Sequence, residues 1–153
     1  MNKDLLLELE KSFMEWKKES GFKASFDELD EIFFIRDYIQ HAGFVSDKIN
    51  RMICGRIRDT FSVWVNQISL WLFPSQTLIS FSESKVFDEK DREELNLILS
   101  EFMYIISLNT EIGLTKDKKK EGEFVDKSLE VWKKNLPLLI KFTSKVREFW
   151  MKK

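Results

Sequence analysis

From residue 125 to residue 150, core-forming positions return by fours and threes: Val125, Leu129, Trp132, Leu136, Leu139, Thr143, Val146 and Trp150. Only a helix puts residues at that spacing on one stripe, and a stripe this long suits nearly parallel packing along another helix. The same period recurs upstream, in Leu5, Leu9, Phe13 and Trp16, and again in Ile49, Ile53, Ile57, Phe61, Trp64, Ile68 and Trp71. A third run is Leu95, Ile98, Phe102, Ile105 and Ile106. With 5 Gly and 2 Pro in 153 residues, the chain lacks the punctuation of a many-turn β fold. We therefore expect an all-α protein: one domain over residues 1–153, a compact bundle of about five helices with antiparallel neighbours and one long central helix.

Local signals place the ends. Helix one runs from Lys3 to Glu19, and Gly21 supplies a left-handed stop. Ser25 followed by Glu28 is a capping box for helix two, whose first turns hold Asp27, Glu28, Asp30 and Glu31; Gly43 ends it. Helix three starts near Ser46 and ends before Pro74, about 28 residues or ~42 Å, with Gly55 as its weak point. Residues 74–87 read as a connection containing the short apolar piece Leu78-Ile79-Ser80-Phe81. Helix four begins at Asp88 and stops at Gly113, residues 115–122 form an exposed loop, and helix five runs from Glu123 onward with Pro137 expected to kink it.

Charge is distributed unevenly. The net is −2 over residues 1–59, zero over 60–82, −5 over 83–112 and +6 over 113–153, for a total of −1. The uncharged run contains Asn66, Gln67 and several Ser and Thr, and Pro74 interrupts it, so we expect no membrane span there. The single Cys excludes an intrachain disulfide framework, and Cys54 between Ile53 and Gly55 reads as a small buried hydrophobe in a reducing, cytoplasmic setting. From the start Met1-Asn2-Lys3-Asp4, acidic within a few residues, we expect no signal peptide. Lys- and Glu-rich, Gln-poor usage leans toward a thermophile.

No Gly-rich phosphate loop or Ser or Cys nucleophile motif is present. The carboxylates at 27–31 and 88–94 sit where helices begin, so capping and the macrodipole account for them, and we expect neither metal nor cofactor. The uncharged middle offers an apolar interface made of Phe61, Trp64, Trp71, Phe73 and Phe81. The basic final third offers contacts to an acidic partner or a nucleic acid through Lys116, Lys118, Lys119, Lys120, Lys133, Lys134, Lys141 and Arg147. Its plainer role is to complement the −5 segment within the same chain. Ser46, Lys48, Asn50 and Arg51 would face the groove if helices two and three formed a helix-turn-helix.

The only histidine lies in Arg36-Asp37-Tyr38-Ile39-Gln40-His41. These six residues resemble the Arg-x4-His motif of the HEPN-family ribonucleases, which often place Asn, Asp or His directly after the Arg. The resemblance implies an all-helical, metal-independent RNA endonuclease with its site between two protomers. Arg36 would hold the scissile phosphate and His41 would move the proton of the attacking or leaving oxygen. The leading expectation is different: a non-catalytic interaction module or accessory subunit that binds another macromolecule, most simply a protein or a second copy of itself. The ribonuclease is the alternative, and a nucleic-acid binder using the basic third is the second.

Overall fold

The computed structural model describes residues 2–75 and 77–152, and every described element is an α-helix. Seven helices take the place of the expected five: α1 Lys3–Ser20, α2 Phe26–Phe33, α3 Ile35–Ala42, α4 Ile49–Leu72, α5 Leu78–Ser84, α6 Glu89–Thr115 and α7 Lys118–Met151. There is no single long rod, because α4, α6 and α7 have 24, 27 and 34 residues. The chain divides into two compact units, Met1–Thr60 with Ile105–Leu129, and Phe61–Tyr104 with Glu130–Lys153.

In the first unit α1 is capped by Asn2, which accepts from the Asp4 N–H, and is closed by Gly21 at φ 75°. It buries Leu9, Phe13 and Trp16, and the Phe13 ring meets Trp16, Phe22 and Phe26 edge-on. The Ser25 cap forms as expected, taking the Glu28 N–H at 3.1 Å. The single helix expected from Ser25 to Gly43 is instead broken at Phe34, which stands at φ 55°. Asp30 explains the break. Its carboxylate accepts the Arg36 backbone N–H at 2.7 Å and the guanidinium at 3.2 Å, and so caps α3, which has no side-chain cap of its own. The left-handed residue costs of order 1 kcal/mol, which these charge-assisted bonds offset. Gly43, at φ 79°, ends α3.

The segment expected to be an exposed loop, 115–122, is corrected as well. Helix α6 runs through Gly113 to Thr115, Lys116 turns at φ 57°, and α7 starts at Lys118. Glu121, one turn in, is 2% exposed. It accepts the Trp16 indole N–H at 2.6 Å and the Asn50 amide at 3.0 and 3.2 Å, and Arg51 stands 3.7 Å away. Arg51 also reaches Asn109 at 3.4 Å. A buried carboxylate persists only with partners of this kind. Cys54 is fully buried, and burial, with the Glu121 charge adding to it and Arg51 opposing, pushes its thiol well above the ordinary range.

In the second unit Phe61, Phe102 and Trp132 form one aromatic cluster, with centroids 4.8, 5.9 and 6.5 Å apart. Trp71, Phe87 and Phe142 form another, at 5.2 and 5.7 Å. Asp88 and Asp91 cap α6 reciprocally, each carboxylate taking the other's backbone N–H. Burial opposes ionisation of Asp91. The Lys145 ammonium at 2.6 Å and the Asp88 N–H outweigh it and hold the carboxyl below its usual value. As α7 advances from Lys134 to Lys141 to Lys145, its partners on α6 recede from Glu101 to Glu94 to Asp91, so in this unit the two helices run antiparallel. Neither Gly55 nor Pro137 ends its helix.

One described helix, α6, is long and apolar enough by length and composition to cross a membrane, as a core helix also is. Its Leu95, Ile98, Phe102, Ile105 and Ile112 are buried within the chain.

Candidate interaction surface

The most unusual surface belongs to α5, the short helix inside the segment expected to be a connection. A seven-residue helix normally turns its large apolar side chains inward. Here the buried residues are Ser80 and Ser84, at 5% and 4% exposed, while Leu78, Ile79 and Phe81 stand 78%, 64% and 50% exposed. Phe73, just before it, is 71% exposed.

Short-range chemistry explains the inversion. Thr77 caps the helix, its hydroxyl taking the Ser80 N–H at 3.3 Å, and the Ser80 hydroxyl lies 2.7 Å from Thr77 Oγ1 and 3.0 Å from Ser75 Oγ. The Ser84 hydroxyl donates to the Phe81 carbonyl at 3.0 Å. These serines hydrogen-bond locally and need no apolar cover.

Two ties fix α5 in place. Glu83 accepts two indole N–H groups, from Trp71 at 3.1 Å and from Trp150 at 2.8 Å. Arg92 donates to the Ser84 carbonyl at 2.6 Å and to the Leu72 carbonyl at 3.4 Å, which satisfies acceptors left free at two helix ends. On the outer face the Lys85 ammonium stands 4.3 Å from the Phe81 ring centroid. Glu83→Ala leaves both indoles without their acceptor. The expected result is amide exchange in residues 78–84 accelerated about tenfold, measured by hydrogen–deuterium exchange, with α6 unchanged; equal protection in the variant would show that Glu83 does not hold the helix.

The expected apolar interface is therefore revised. Phe61 and Trp71 are 0% and 3% exposed and belong to the aromatic core. Trp64 is half-buried and packs edge-on near Trp71, at 6.4 Å. Phe73 and Phe81 remain outside, joined by Leu78 and Ile79. The pattern was visible in the sequence only as four apolar residues spaced against two serines that have no reason to be inward until α5 is seated.

Four of the eight basic residues expected to meet a partner pair with carboxylates of this chain. Lys118 pairs with Glu19, Lys120 with Glu111 at 2.9 Å and Lys134 with Glu101 at 2.6 Å. Lys141 pairs with Glu94 at 3.4 Å and lies 3.8 Å from Asp91. Lys118, Lys119 and Lys120 sit on the first turn of α7, not on a loop, while Lys116 occupies the turn before it. Lys116, Lys119, Lys133 and Arg147 are exposed. Lys118, Lys120, Lys134 and Lys141, paired with carboxylates, present a field of mixed sign.

Arg36 and His41 both ride on α3, about 140° apart around its axis. The Arg36 guanidinium is engaged by Asp27 and Asp30, each at 3.2 Å, and lies 5.0 Å from the Phe26 ring centroid. It ties α2 to α3. His41 is exposed in the last turn of α3. Of the residues considered for a helix-turn-helix, Asn50 and Arg51 are turned to Glu121. Among the described residues no three His, Cys, Asp or Glu side chains gather as metal ligands would.

Comparison with protein-family models, with curated proteins and with solved structures finds no match to this chain.

Proposed function

We propose that this chain is a non-catalytic helical interaction module that binds protein, a partner or a second copy of itself, through the outer face of α5. The supporting observation is the inverted helix: Leu78, Ile79 and Phe81 outside, Ser80 and Ser84 inside. Burying a large apolar side chain is worth roughly 1.5–3 kcal/mol. Three such side chains and Phe73 leave several kcal/mol unrealised in the isolated chain, and covering them in an interface recovers it. The two ties from Glu83 and Arg92 hold the face ready before binding, which lowers the ordering cost of association. Arg36, already bound to two aspartates, contributes to stability in this reading and not to phosphate chemistry.

The test is a photo-cross-linking residue placed at Leu78 in one sample and at Leu114 in another. Leu114 is 82% exposed but belongs to the first unit. The expected result is one adduct of discrete mass from position 78, absent from position 114 and lost when Ile79→Glu is added. No adduct at 78, or equal labelling at both positions, overturns the reading.

A further inference from the structure

A second apolar feature lies in the second unit, on residues separate from Phe73–Phe81. Trp64 of α4 and Trp132, Leu136, Ile140, Ser144 and Arg147 of α7 line a groove of about 300 Å³. Its walls are two half-buried indoles and two aliphatic side chains, Leu136 and Ile140, that are 38% and 58% exposed. Leu139, 1% exposed, closes the floor.

The charges of this stretch of α7 are not equivalent. Lys134, Lys141 and Lys145 each reach a carboxylate of α6. Arg147, which lines the groove, pairs with no carboxylate among the described residues. A guanidinium offers a planar fork that fits a carboxylate with two parallel N–H bonds, and the hydroxyl of Ser144 stands in the same lining. Apolar walls with a few convergent polar groups are the usual make-up of a small-ligand site.

We infer that this groove binds an amphiphilic carboxylate of the fatty-acid class, its hydrocarbon chain between Trp64, Trp132 and Ile140 and its single negative charge on Arg147. One unpaired cation beside one apolar trough calls for a ligand with one anionic head and one apolar tail. Neither the α5 surface nor its partner enters into this assignment, so each stands or falls alone.

The two wall indoles supply the readout. The chain has 5 Trp, so a nitrogen-15 spectrum of the intact protein shows five indole N–H signals. The probes are octanoate and 1-octanol, which share a tail length and differ in the head. The expected result is a saturable shift of the Trp64 and Trp132 signals with octanoate, with Trp16 and Trp71, 4% and 3% exposed, unmoved. Octanol binds more weakly. Arg147→Gln weakens octanoate about tenfold and leaves octanol unchanged, as loss of a charge-assisted hydrogen bond predicts. Ile140→Glu, which sets a carboxylate into the trough, abolishes both; unchanged helicity by circular dichroism confirms that each variant is folded. No shift with octanoate, equal affinity for octanol, or full octanoate binding by Arg147→Gln overturns the assignment. So does an acidic amphipathic helical peptide that moves both signals where octanoate does not, because the groove would then belong to a protein helix.

Discussion

Glu121→Ala lowers the stability of the protein by about 3 kcal/mol, read as a fall in the urea midpoint with an unchanged slope. The side chain is 2% exposed, accepts from two donors, the Trp16 indole at 2.6 Å and the Asn50 amide at 3.0 Å, and has the Arg51 guanidinium as an ion-pair partner at 3.7 Å. Alanine leaves both donors without this acceptor and Arg51 without its counter-charge. A buried donor without an acceptor costs about 1–3 kcal/mol, and a partly buried cation without its counter-charge adds to that. Because Arg51 is about one-third exposed, water recovers part of its loss, which keeps the total near the lower end of the range for a broken buried pair. Glu121→Gln keeps the shape and one acceptor oxygen for Trp16, so a smaller loss of about 1 kcal/mol is expected. Equal stability of Glu121→Ala and the parent chain would mean that water takes the place of the carboxylate for Trp16, Asn50 and Arg51.

Gly122→Ala, the next position, is destabilising by about 2 kcal/mol although alanine is the better helix former. A Cβ built there would lie 2.1 Å from the Ser20 carbonyl oxygen, 2.9 Å from the Ser20 carbonyl carbon and 3.3 Å from the Phe22 nitrogen. All three are backbone atoms and cannot swing aside. Overpacking of this kind costs about 3 kcal/mol, while removing a mid-helix glycine returns about 1 kcal/mol. Gly55→Ala is the matched control. Nothing lies within 4 Å of its Cβ position, so only the propensity gain remains, and the variant should be more stable than the parent by up to about 1 kcal/mol. The two substitutions are chemically identical, and thermal unfolding of both should move the midpoint in opposite directions. A Gly122→Ala midpoint at or above the parent's would show that α1 and α7 yield to the methyl group.

Most of the helical content was legible because it depends on neighbours three and four residues away. The stripe from Ile49 to Trp71 is buried at every position but Trp64, which is half-buried. Ser25, Gly21, Gly43 and Asp88 stop and start helices where capping chemistry requires. The seam of α7 was legible in part: Val125, Leu129, Leu139 and Val146 are buried, whereas Leu136 and Trp150 are 38% and 41% exposed, Leu136 on a groove wall and Trp150 held by Glu83.

The candidate surface was less legible. Phe73 and Phe81 were identified from the charge gap, but Phe61 and Trp71 share that gap and lie in the core. Composition counts apolar residues without saying which way each faces. The seating of α5 depends on Glu83, whose partners Trp71 and Trp150 lie 12 and 67 positions away, and on Arg92, whose partner Leu72 lies 20 positions away.

By itself the sequence determined that this chain is helical and where most helices begin and end, since period and caps are local and their energies act within one or two turns. Tertiary structure alone decided that Lys118–Gly122 starts a helix with Glu121 buried, that Phe34 divides a helix and that α5 shows its apolar side. In each case the deciding partner is distant or out of helical register: Trp16 stands 105 residues from Glu121, and Trp150 stands 67 from Glu83. A run of lysines reads as solvent until the folded chain brings an indole and an amide to the one glutamate among them.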